Sequence, residues 1–185
     1  MSCDVEGVER SLCMSGGETP RMILTEELEA LRKNIIMNHL RAGQKASGRT
    51  AASLRVDVSE DGGVLFGRNP FGTLETGRKG GKVPMKFHVI IRQWMKDKGI
   101  KAEPIPYKTN RPHKYTPQER GEMTLAFFIS RKIRREGTDL FRKGGRSDIY
   151  SNEIPVTVQR IGERLLSLMS AKVESIKINK KSVIV

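Results

Sequence analysis

The histidine, cysteine and carboxylate side chains of this sequence are too scattered to form a recognisable catalytic centre. His39, His88 and His113 fall in different predicted elements, and no HExxH pair is present. A cysteine nucleophile needs a neighbouring base, and no histidine lies near either cysteine. A two-metal nuclease needs several converging carboxylates, and the glycine-rich middle of the chain offers only Glu75 and Asp148. We therefore expect no enzymatic activity, no cofactor and no bound metal.

Both cysteines, Cys3 and Cys13, lie in the polar N-terminal segment. Two cysteines without a nearby histidine indicate free thiols in a reducing cytoplasm rather than a disulfide framework or a zinc site. The first ten residues are polar and acidic and lack the order of a signal peptide. No apolar run approaches the roughly 20 residues that span a bilayer. We expect no membrane association.

Positive charge is concentrated in one part of the chain. Between Arg78 and Arg146 there are 19 basic and 6 acidic residues, which account for the whole net charge of +13. The remainder of the chain carries 15 residues of each sign. Such a zone attracts phosphate, nucleic acid or an acidic protein surface through its long-range field. The alternative is a solvated face that only aids solubility.

Two glycine-bearing loops in this zone are the leading candidates for partner contact. They span residues 78–82 and 141–146, and the second lacks the GxxxxGK[ST] pattern of a phosphate-binding loop. Their cations are expected to meet acidic neighbours or DNA, and these are Arg78, Lys79, Lys82, Arg142, Lys143 and Arg146.

A proline-rich segment at about 100–115 interleaves aromatic and basic side chains, a mixture on which a nucleic-acid strand can stack. An exposed arm laid over a neighbouring subunit is the plainer interpretation of this segment. Cations also crowd the last turns of the helix that follows, where the helix dipole alone can explain them. The candidate contacts in these two places are Tyr107, Lys108, Arg111, Lys114, Arg131, Arg134 and Arg135.

Apolar periodicity in the first half of the chain predicts a helix followed by a hairpin. The Asp61-Gly62-Gly63 sequence is typical of a hairpin turn. Glycines weaken any regular structure at 43–52. The predicted order is a flexible arm over 1–22, a helix from a Thr25 cap to about Arg41, strands over 54–58 and 64–67, and a third short strand or bend at 71–75.

The second half of the chain predicts three helices. One starts at Pro84, carries Trp94 in the middle of an apolar stripe, and stops at Gly99. As a core residue, Trp94 would cost about 3–5 kcal/mol of stability on truncation to alanine. The next helix starts with a capping box at Thr116 and ends at Gly137. A last helix with Pro155 in its first turn precedes an alternating tail at 173–185, which predicts a closing strand.

Two patches resemble the neck and tail-completion (head–tail joining) proteins of tailed bacteriophages. The first patch contains Gly77-Arg78, Lys82-Val83-Pro84, Ile90, Trp94 and Lys98-Gly99-Ile100. The second runs from Ala126 to Ile133 and continues with Glu136-Gly137-Thr138. Together they cover roughly residues 75–140. Met85 stands where the family pattern has a second proline, and the linker between the patches is long.

The resemblance implies an α+β protomer with a long N-terminal helix, a small antiparallel sheet, packed amphipathic helices and extended arms. Residues 23–185 would form this single domain, and residues 1–22 would form the arm. The resemblance further implies a structural virion protein that forms a cyclic homo-oligomer in the neck or tail, assembled in the host cytoplasm. Its partners would be portal, adaptor or tail proteins, with non-specific DNA contact allowed.

Two other functions remain open from the sequence. A basic nucleic-acid-binding module would bind generic duplexes or single strands with an affinity that falls steeply as salt rises. A virion-associated nuclease or lysis enzyme would need metal ligands, and the sequence offers none at recognisable spacing.

Overall fold

The computed structural model describes residues 18–109 and 112–176. This part of the chain contains α-helices, one two-stranded sheet and a 3-10 turn at Asn69–Gly72. The helices and strands are α1 (Pro20–Arg41), α2 (Arg49–Ala52), β1 (Arg55–Val58), β2 (Gly63–Phe66), α3 (Thr73–Thr76), α4 (Phe87–Asp97), α5 (Pro117–Glu136), α6 (Asp139–Arg142) and α7 (Glu153–Glu174).

Helix α1 begins earlier than the sequence predicts. The Thr19 hydroxyl accepts a hydrogen bond from the Met22 amide at 3.3 Å, and Pro20 occupies the first position, where an amide is not needed. The predicted cap, Thr25, lies inside the helix, where its hydroxyl donates to the Arg21 carbonyl. That prediction is wrong, because Thr19-Pro20 is the stronger start signal. The predicted arm boundary at residue 22 falls inside α1, and residues 1–17 lie outside the described range.

The predicted hairpin is confirmed. Strands β1 and β2 pair antiparallel, with Arg55 opposite Phe66 and Val58 opposite Gly63. Of the two alternatives predicted at 71–75, a third short strand or a bend, the strand is wrong, since this segment completes the 3-10 turn and forms α3. Pro70 has no amide to offer a strand ladder, which favours the turn.

The first apolar cluster joins α1 to the hairpin. Leu28, Leu31 and Ile35 of α1 pack with Leu54, at the entrance to β1, and with Ile149 ahead of α7. The same face of α1 buries His39. Burial, and secondarily the charge of Lys98, lower the pKa of His39.

Helix α7 lies antiparallel to α1 and is held to it by polar contacts. Near its start, Glu153 accepts hydrogen bonds from the side-chain amides of Asn34 and Asn38, each at 3.1 Å. Further along, Glu27 of α1 pairs with Arg160 at 3.2 Å and with Arg164 at 3.0 Å. Helix α7 continues to Glu174, so the predicted closing strand at 173–185 is wrong at its first residues. Residues 177–185 lie outside the described range.

The second apolar cluster joins α4 to α5 and corrects two predictions. Ile91 and Met95 of α4 pack with Ala126 of α5, and Met95 is only 1% exposed. Trp94 is 39% exposed, so its predicted place in the core is wrong. Helix α4 also begins at Phe87 rather than Pro84, because the chain first turns through Lys86 at φ +56.

The proline-rich segment packs against the first turns of α5. The Ile105 amide donates to the Pro117 carbonyl at 2.9 Å, and the Arg120 guanidinium donates to the Pro106 carbonyl at 3.1 Å. A side chain at Gly121 would lie 2.0 Å from the Glu103 carbonyl oxygen, so only glycine permits this crossing. The segment lacks regular secondary structure, as predicted, but residues 102–106 lie on this chain's own helix rather than standing free.

The described chain is an α+β protein, as expected. A long N-terminal helix, one antiparallel hairpin and amphipathic helices form it. The capping box at Thr116 and the stop at Gly137 are confirmed as the two ends of α5.

Candidate functional site

The basic loop at 78–82 is hydrogen-bonded to the C-terminal end of α5 and to Thr138, which follows that helix. The Arg78 amide donates to the Thr138 hydroxyl at 2.9 Å, and the Thr138 amide donates to the Arg78 carbonyl at 2.9 Å. The Gly81 amide donates to the carbonyl of Arg134 at 2.7 Å. These bonds fix the basic loop at 78–82 along the end of α5.

The close approach of the 78–82 loop to the end of α5 depends on Gly80 and Gly137. A side chain at Gly80 would meet the Arg135 carbonyl oxygen at 2.8 Å. Gly137 has φ +84, and a side chain there would meet the Arg78 carbonyl oxygen at 2.6 Å. Both glycines therefore serve a fixed contact.

Residues 82–88, which continue from this loop, and one face of α5 line an open cleft of about 500 Å³ with a basic lining. Its charged or titratable lining residues are Lys82, Lys86, His88, Arg131 and Arg134, and no carboxylate lines it. We call this site the basic cleft. Phe127, which is 53% exposed, and Met85, which is 89% exposed, add apolar surface to the basic cleft.

The four lysines and arginines of the basic cleft have no ion-pair partner within residues 18–109 and 112–176. All four are exposed. Four unneutralised cations on one concave surface create a field that attracts anionic groups. The cleft can therefore bind phosphates or a cluster of carboxylates.

The structure brings together three of the thirteen predicted contact residues in the basic cleft, namely Lys82, Arg131 and Arg134. Arg78 instead donates to the Lys82 carbonyl at 2.7 Å and lies over the Phe87 ring at 5.5 Å, so it supports the loop. Lys79 and Arg135 are exposed and do not line the cleft.

The second predicted basic loop is largely neutralised. Residues 139–142 form α6, and Arg142 pairs with Glu136 at 3.2 Å and with Asp139. Arg146 pairs with Asp148 through two nitrogens. Only Lys143 of this set is exposed without an ion-pair partner in the described chain. Flanking acidic residues thus pair with two of the three cations, and contact of Arg142, Lys143 and Arg146 with a partner stays a prediction.

The aromatic and basic residues of the proline-rich segment form a separate group. Tyr107 stacks on His113 with ring centroids 3.6 Å apart, and the Arg120 guanidinium lies 4.7 Å from the Tyr107 centroid. These contacts occupy the Tyr107 ring, so it is not presented as a free stacking platform. Lys114 lies over Tyr115 at 5.4 Å. Lys108 is exposed, and Arg111 lies outside the described residues.

Sequence reasoning missed Lys86, His88 and Phe127 as members of the basic cleft. The predicted helix start at Pro84 placed Lys86 within a helix, whereas its left-handed conformation turns the chain toward the cleft. On α5, Ala126 and Ser130 are buried, whereas Phe127 is exposed and contributes to the cleft.

Glu75 is a buried carboxylate that positions the segment before α7. Its side chain is 2% exposed and accepts hydrogen bonds from the amides of Ile149, Tyr150 and Ser151 at 2.6–3.0 Å, and from the Ser151 hydroxyl. Burial alone would raise the pKa of Glu75, but these hydrogen bonds outweigh burial, and the pKa lies below its ordinary value. Both oxygens of this carboxylate accept hydrogen bonds that hold the fold, so Glu75 has a structural role.

An apolar groove of about 580 Å³ lies on the other side of α4. Phe87, Ile91, Trp94, Ile129 and Ile133 contribute most of its surface. The exposed indole of Trp94 is therefore part of a surface that another apolar group can cover.

Neither metal-binding groups nor a membrane span is found in the described part of the chain. Across residues 18–109 and 112–176, no three histidine, cysteine or carboxylate side chains come together as a metal site would require. None of the described helices combines the length and the apolar character needed to cross a bilayer.

The fold and the site together define an α+β protein with an open cationic cleft and much uncovered apolar surface. No family model, curated protein or solved structure matches the chain.

Proposed function

We propose that this protein is a non-catalytic structural subunit of a tailed-phage virion, and that copies of it form a ring in the neck that joins the portal or its adaptor to the tail. Two things support the proposal. One is the resemblance of residues 75–140 to neck and tail-completion proteins. The other is the amount of apolar surface that a single copy leaves uncovered.

The uncovered apolar surface is the observation that carries this proposal. Among the described residues, nine apolar side chains are buried, whereas 21 large apolar side chains are exposed. Apolar patches of this extent on a soluble protein mark interaction sites. Subunits that assemble permanently bury such surface against one another.

The exposed apolar residues are concentrated on helices. Val158, Leu166, Met169 and Val173 recur at near-helical spacing on α7, and Leu166 is 70% exposed. Val89, Ile90 and Trp94 are exposed on α4, where they line an open pocket with residues of the 39–50 and 68–74 segments. Phe127 and Phe128 are exposed on α5. Several faces are thus available, which a subunit needs when it contacts two neighbours in a ring and a further protein above or below.

Electron microscopy of the purified full-length chain tests the proposal. We expect closed rings with rotational symmetry. Addition of the portal, adaptor or tail proteins encoded by the same phage should give ring stacks. A monodisperse single copy that neither closes into rings nor binds any of these proteins would contradict the proposal.

The basic cleft favours a second candidate, a nucleic-acid-binding module. A cleft with four unpaired cations beside an exposed phenylalanine suits a sugar–phosphate backbone with a stacked base. Four neutralised phosphates would give a slope of about −3.6 in a plot of log affinity against log salt for a duplex. Tight binding with that slope by a single copy would favour this candidate over the neck subunit.

A further inference from the structure

The hairpin turn carries the acidic counterpart of the basic cleft. Asp57, Glu60 and Asp61 lie within five residues of one another and all three are exposed. None of them forms an ion pair with the rest of the described chain. We call this feature the acidic turn.

Hydrogen bonds hold the acidic turn in a defined shape. The Ser59 amide donates to the Gly62 carbonyl at 2.8 Å, and the Ser59 hydroxyl donates to the same carbonyl at 3.2 Å. Val58 pairs with Gly63 in the antiparallel ladder, and this pairing holds the two ends of the turn together. A preformed turn loses little conformational freedom when it docks, which favours association.

The outward face of the hairpin adds apolar surface next to the carboxylates. Asp57 is directly opposite Val64, and Arg55 is directly opposite Phe66, in the antiparallel register. All four side chains are exposed, whereas Val56, Val58 and Leu65 on the other face pack against the first apolar cluster. The hairpin thus presents an acidic tip next to the exposed Val64, with Phe66 further along the same face under the Arg55 guanidinium, 5.0 Å from the ring centroid.

The basic cleft has the same two components with the opposite charge. Its cations, Lys82, Lys86, Arg131 and Arg134, lie beside the exposed Met85 and Phe127. The cleft belongs to the loops and helices around the second apolar cluster, whereas the hairpin packs on α1 in the first. No described ion pair joins the acidic turn to the cleft within one chain, so each is available to another copy.

We propose that the acidic turn of one copy occupies the basic cleft of the next copy. Carboxylates of Asp57, Glu60 and Asp61 face the four cations, and Val64 and Phe66 cover Met85 and Phe127. This contact joins two different surfaces of the same protein, so each copy has one of each to offer, and repetition closes a ring or extends a filament. The inference rests on the ring proposed above and identifies the contact that builds it.

Charge reversal of each surface tests this contact. One variant carries D57K, E60K and D61K, and the other carries K82E, K86E, R131E and R134E. In each variant both surfaces have the same sign, and like charges facing each other disfavour association. We expect the subunit concentration needed for half-assembly, measured by mass photometry, to rise roughly 100-fold for either variant.

Mixing the two variants is the decisive arm of the experiment. In the mixture, the reversed turn of the D57K/E60K/D61K variant is basic and faces the reversed, acidic cleft of the other variant. The unchanged acidic turn of that other variant faces the unchanged basic cleft of the D57K/E60K/D61K variant. An equimolar mixture should therefore assemble with alternating subunits at concentrations where neither variant assembles alone. A chain that carries all seven substitutions should assemble by itself.

Matched controls separate this contact from a general effect of charge. K33E, K45E, K101E and K172E together change the net charge as much as the cleft variant, and E103K, E163K and E174K match the turn variant. All of these positions are exposed. The controls should assemble like the wild type, and circular dichroism melting should show that every variant folds.

The outcomes distinguish this contact from the function on which it rests. If the wild type forms rings and both charge-reversal variants form them equally well, the proposed contact is wrong but the proposed function as a ring subunit still holds. A wild type that remains a single copy at every concentration would overturn both. If turn reversal has no effect on assembly and cleft reversal abolishes only the binding of duplex DNA, the cleft is a nucleic-acid site and the contact is excluded.

Discussion

The buried carboxylate of Glu75 is the single side chain on which the position of residues 149–151 depends. It accepts three backbone hydrogen bonds and one hydroxyl hydrogen bond in a buried setting. Removal of the carboxylate leaves these donors without a partner, so we expect Glu75→Ala to lower the free energy of unfolding by about 3 kcal/mol. Urea unfolding monitored by circular dichroism measures this change. A loss below about 1 kcal/mol would show that water satisfies the donors equally well.

Glu75 should also make the protein sensitive to acid. Its folded pKa lies below the ordinary value of 4.5, so its contribution is fully present above that value and is lost as the pH falls through the folded pKa. Glu75→Gln cannot titrate at this position. We expect the wild type to lose more stability than Glu75→Gln between pH 6 and pH 3, as measured by urea unfolding at each pH. Parallel curves for the two proteins would contradict the role given to this carboxylate.

Truncation of Trp94 should destabilise the protein less than truncation of its neighbour Met95. Trp94 is 39% exposed on the apolar groove, whereas Met95 is 1% exposed. We expect Met95→Ala to cost about 2–5 kcal/mol in unfolding free energy because it leaves a cavity. Trp94→Ala should cost about 1 kcal/mol, as an exposed position does, and should weaken assembly. A larger stability loss for Trp94→Ala than for Met95→Ala would show that the indole belongs to the core.

At the scale of elements, Gly121 decides how the proline-rich segment lies on α5. Gly→Ala within a helix ordinarily adds up to about 1 kcal/mol of stability, because alanine is the better helix former. At this position the added carbon would lie 2.0 Å from the Glu103 carbonyl, so the segment must move away. We therefore expect Gly121→Ala to destabilise the protein and to expose residues 101–107 to proteolysis. A stabilised protein with an unchanged digestion pattern would contradict this packing. Gly162→Ala in α7, where nothing lies within 4 Å, is the matched control and should be neutral or stabilising.

Local signals predicted most of the elements. The capping box at Thr116, the turn at Asp61-Gly62-Gly63 and the positive-φ stop at Gly99 each depend on neighbours in sequence, and the structure confirms all three. The errors have a common cause. Thr25 and Pro84 are acceptable helix starts, but Thr19-Pro20 and the left-handed turn at Lys86 supersede them.

The basic cleft could be predicted only in part. Charge segregation indicated the right zone and three of its cations, Lys82, Arg131 and Arg134. It could not show that Glu136, Asp139 and Asp148 neutralise Arg142 and Arg146, because ion pairs depend on side-chain geometry. Sequence alone also could not show that Trp94 and Phe127 are exposed. When the apolar stripe of a helix is wider than the helix packed against it, the residues at the edge of the stripe stay exposed.

At the scale of the whole molecule, one copy leaves both charged and apolar surfaces uncovered within the described residues. Its cations and its unpaired carboxylates lie on different elements, and its apolar faces on α4, α5 and α7 remain uncovered. Both features are accounted for if the protein contacts further copies of itself and other proteins of the virion. If both ionic and apolar contacts hold the copies together, assembly should depend on salt, because ionic contacts weaken with ionic strength while apolar contacts do not.

A salt titration should therefore separate the ionic from the apolar contribution to assembly. We expect a rise in sodium chloride from about 0.1 M to about 1 M, which shortens the Debye length from about 10 Å to about 3 Å, to weaken ring formation without unfolding the subunits. Sedimentation velocity with circular dichroism on the same samples measures both quantities. Assembly that strengthens steadily over this range would show that apolar contact alone holds the copies together.

Native mass spectrometry of the wild-type chain over a range of concentrations tests the central claim most directly. The account predicts one closed oligomer, with a mass that is an integer multiple of the 20.8 kDa subunit and that does not increase further as concentration rises. A mass of 20.8 kDa at every concentration would contradict it.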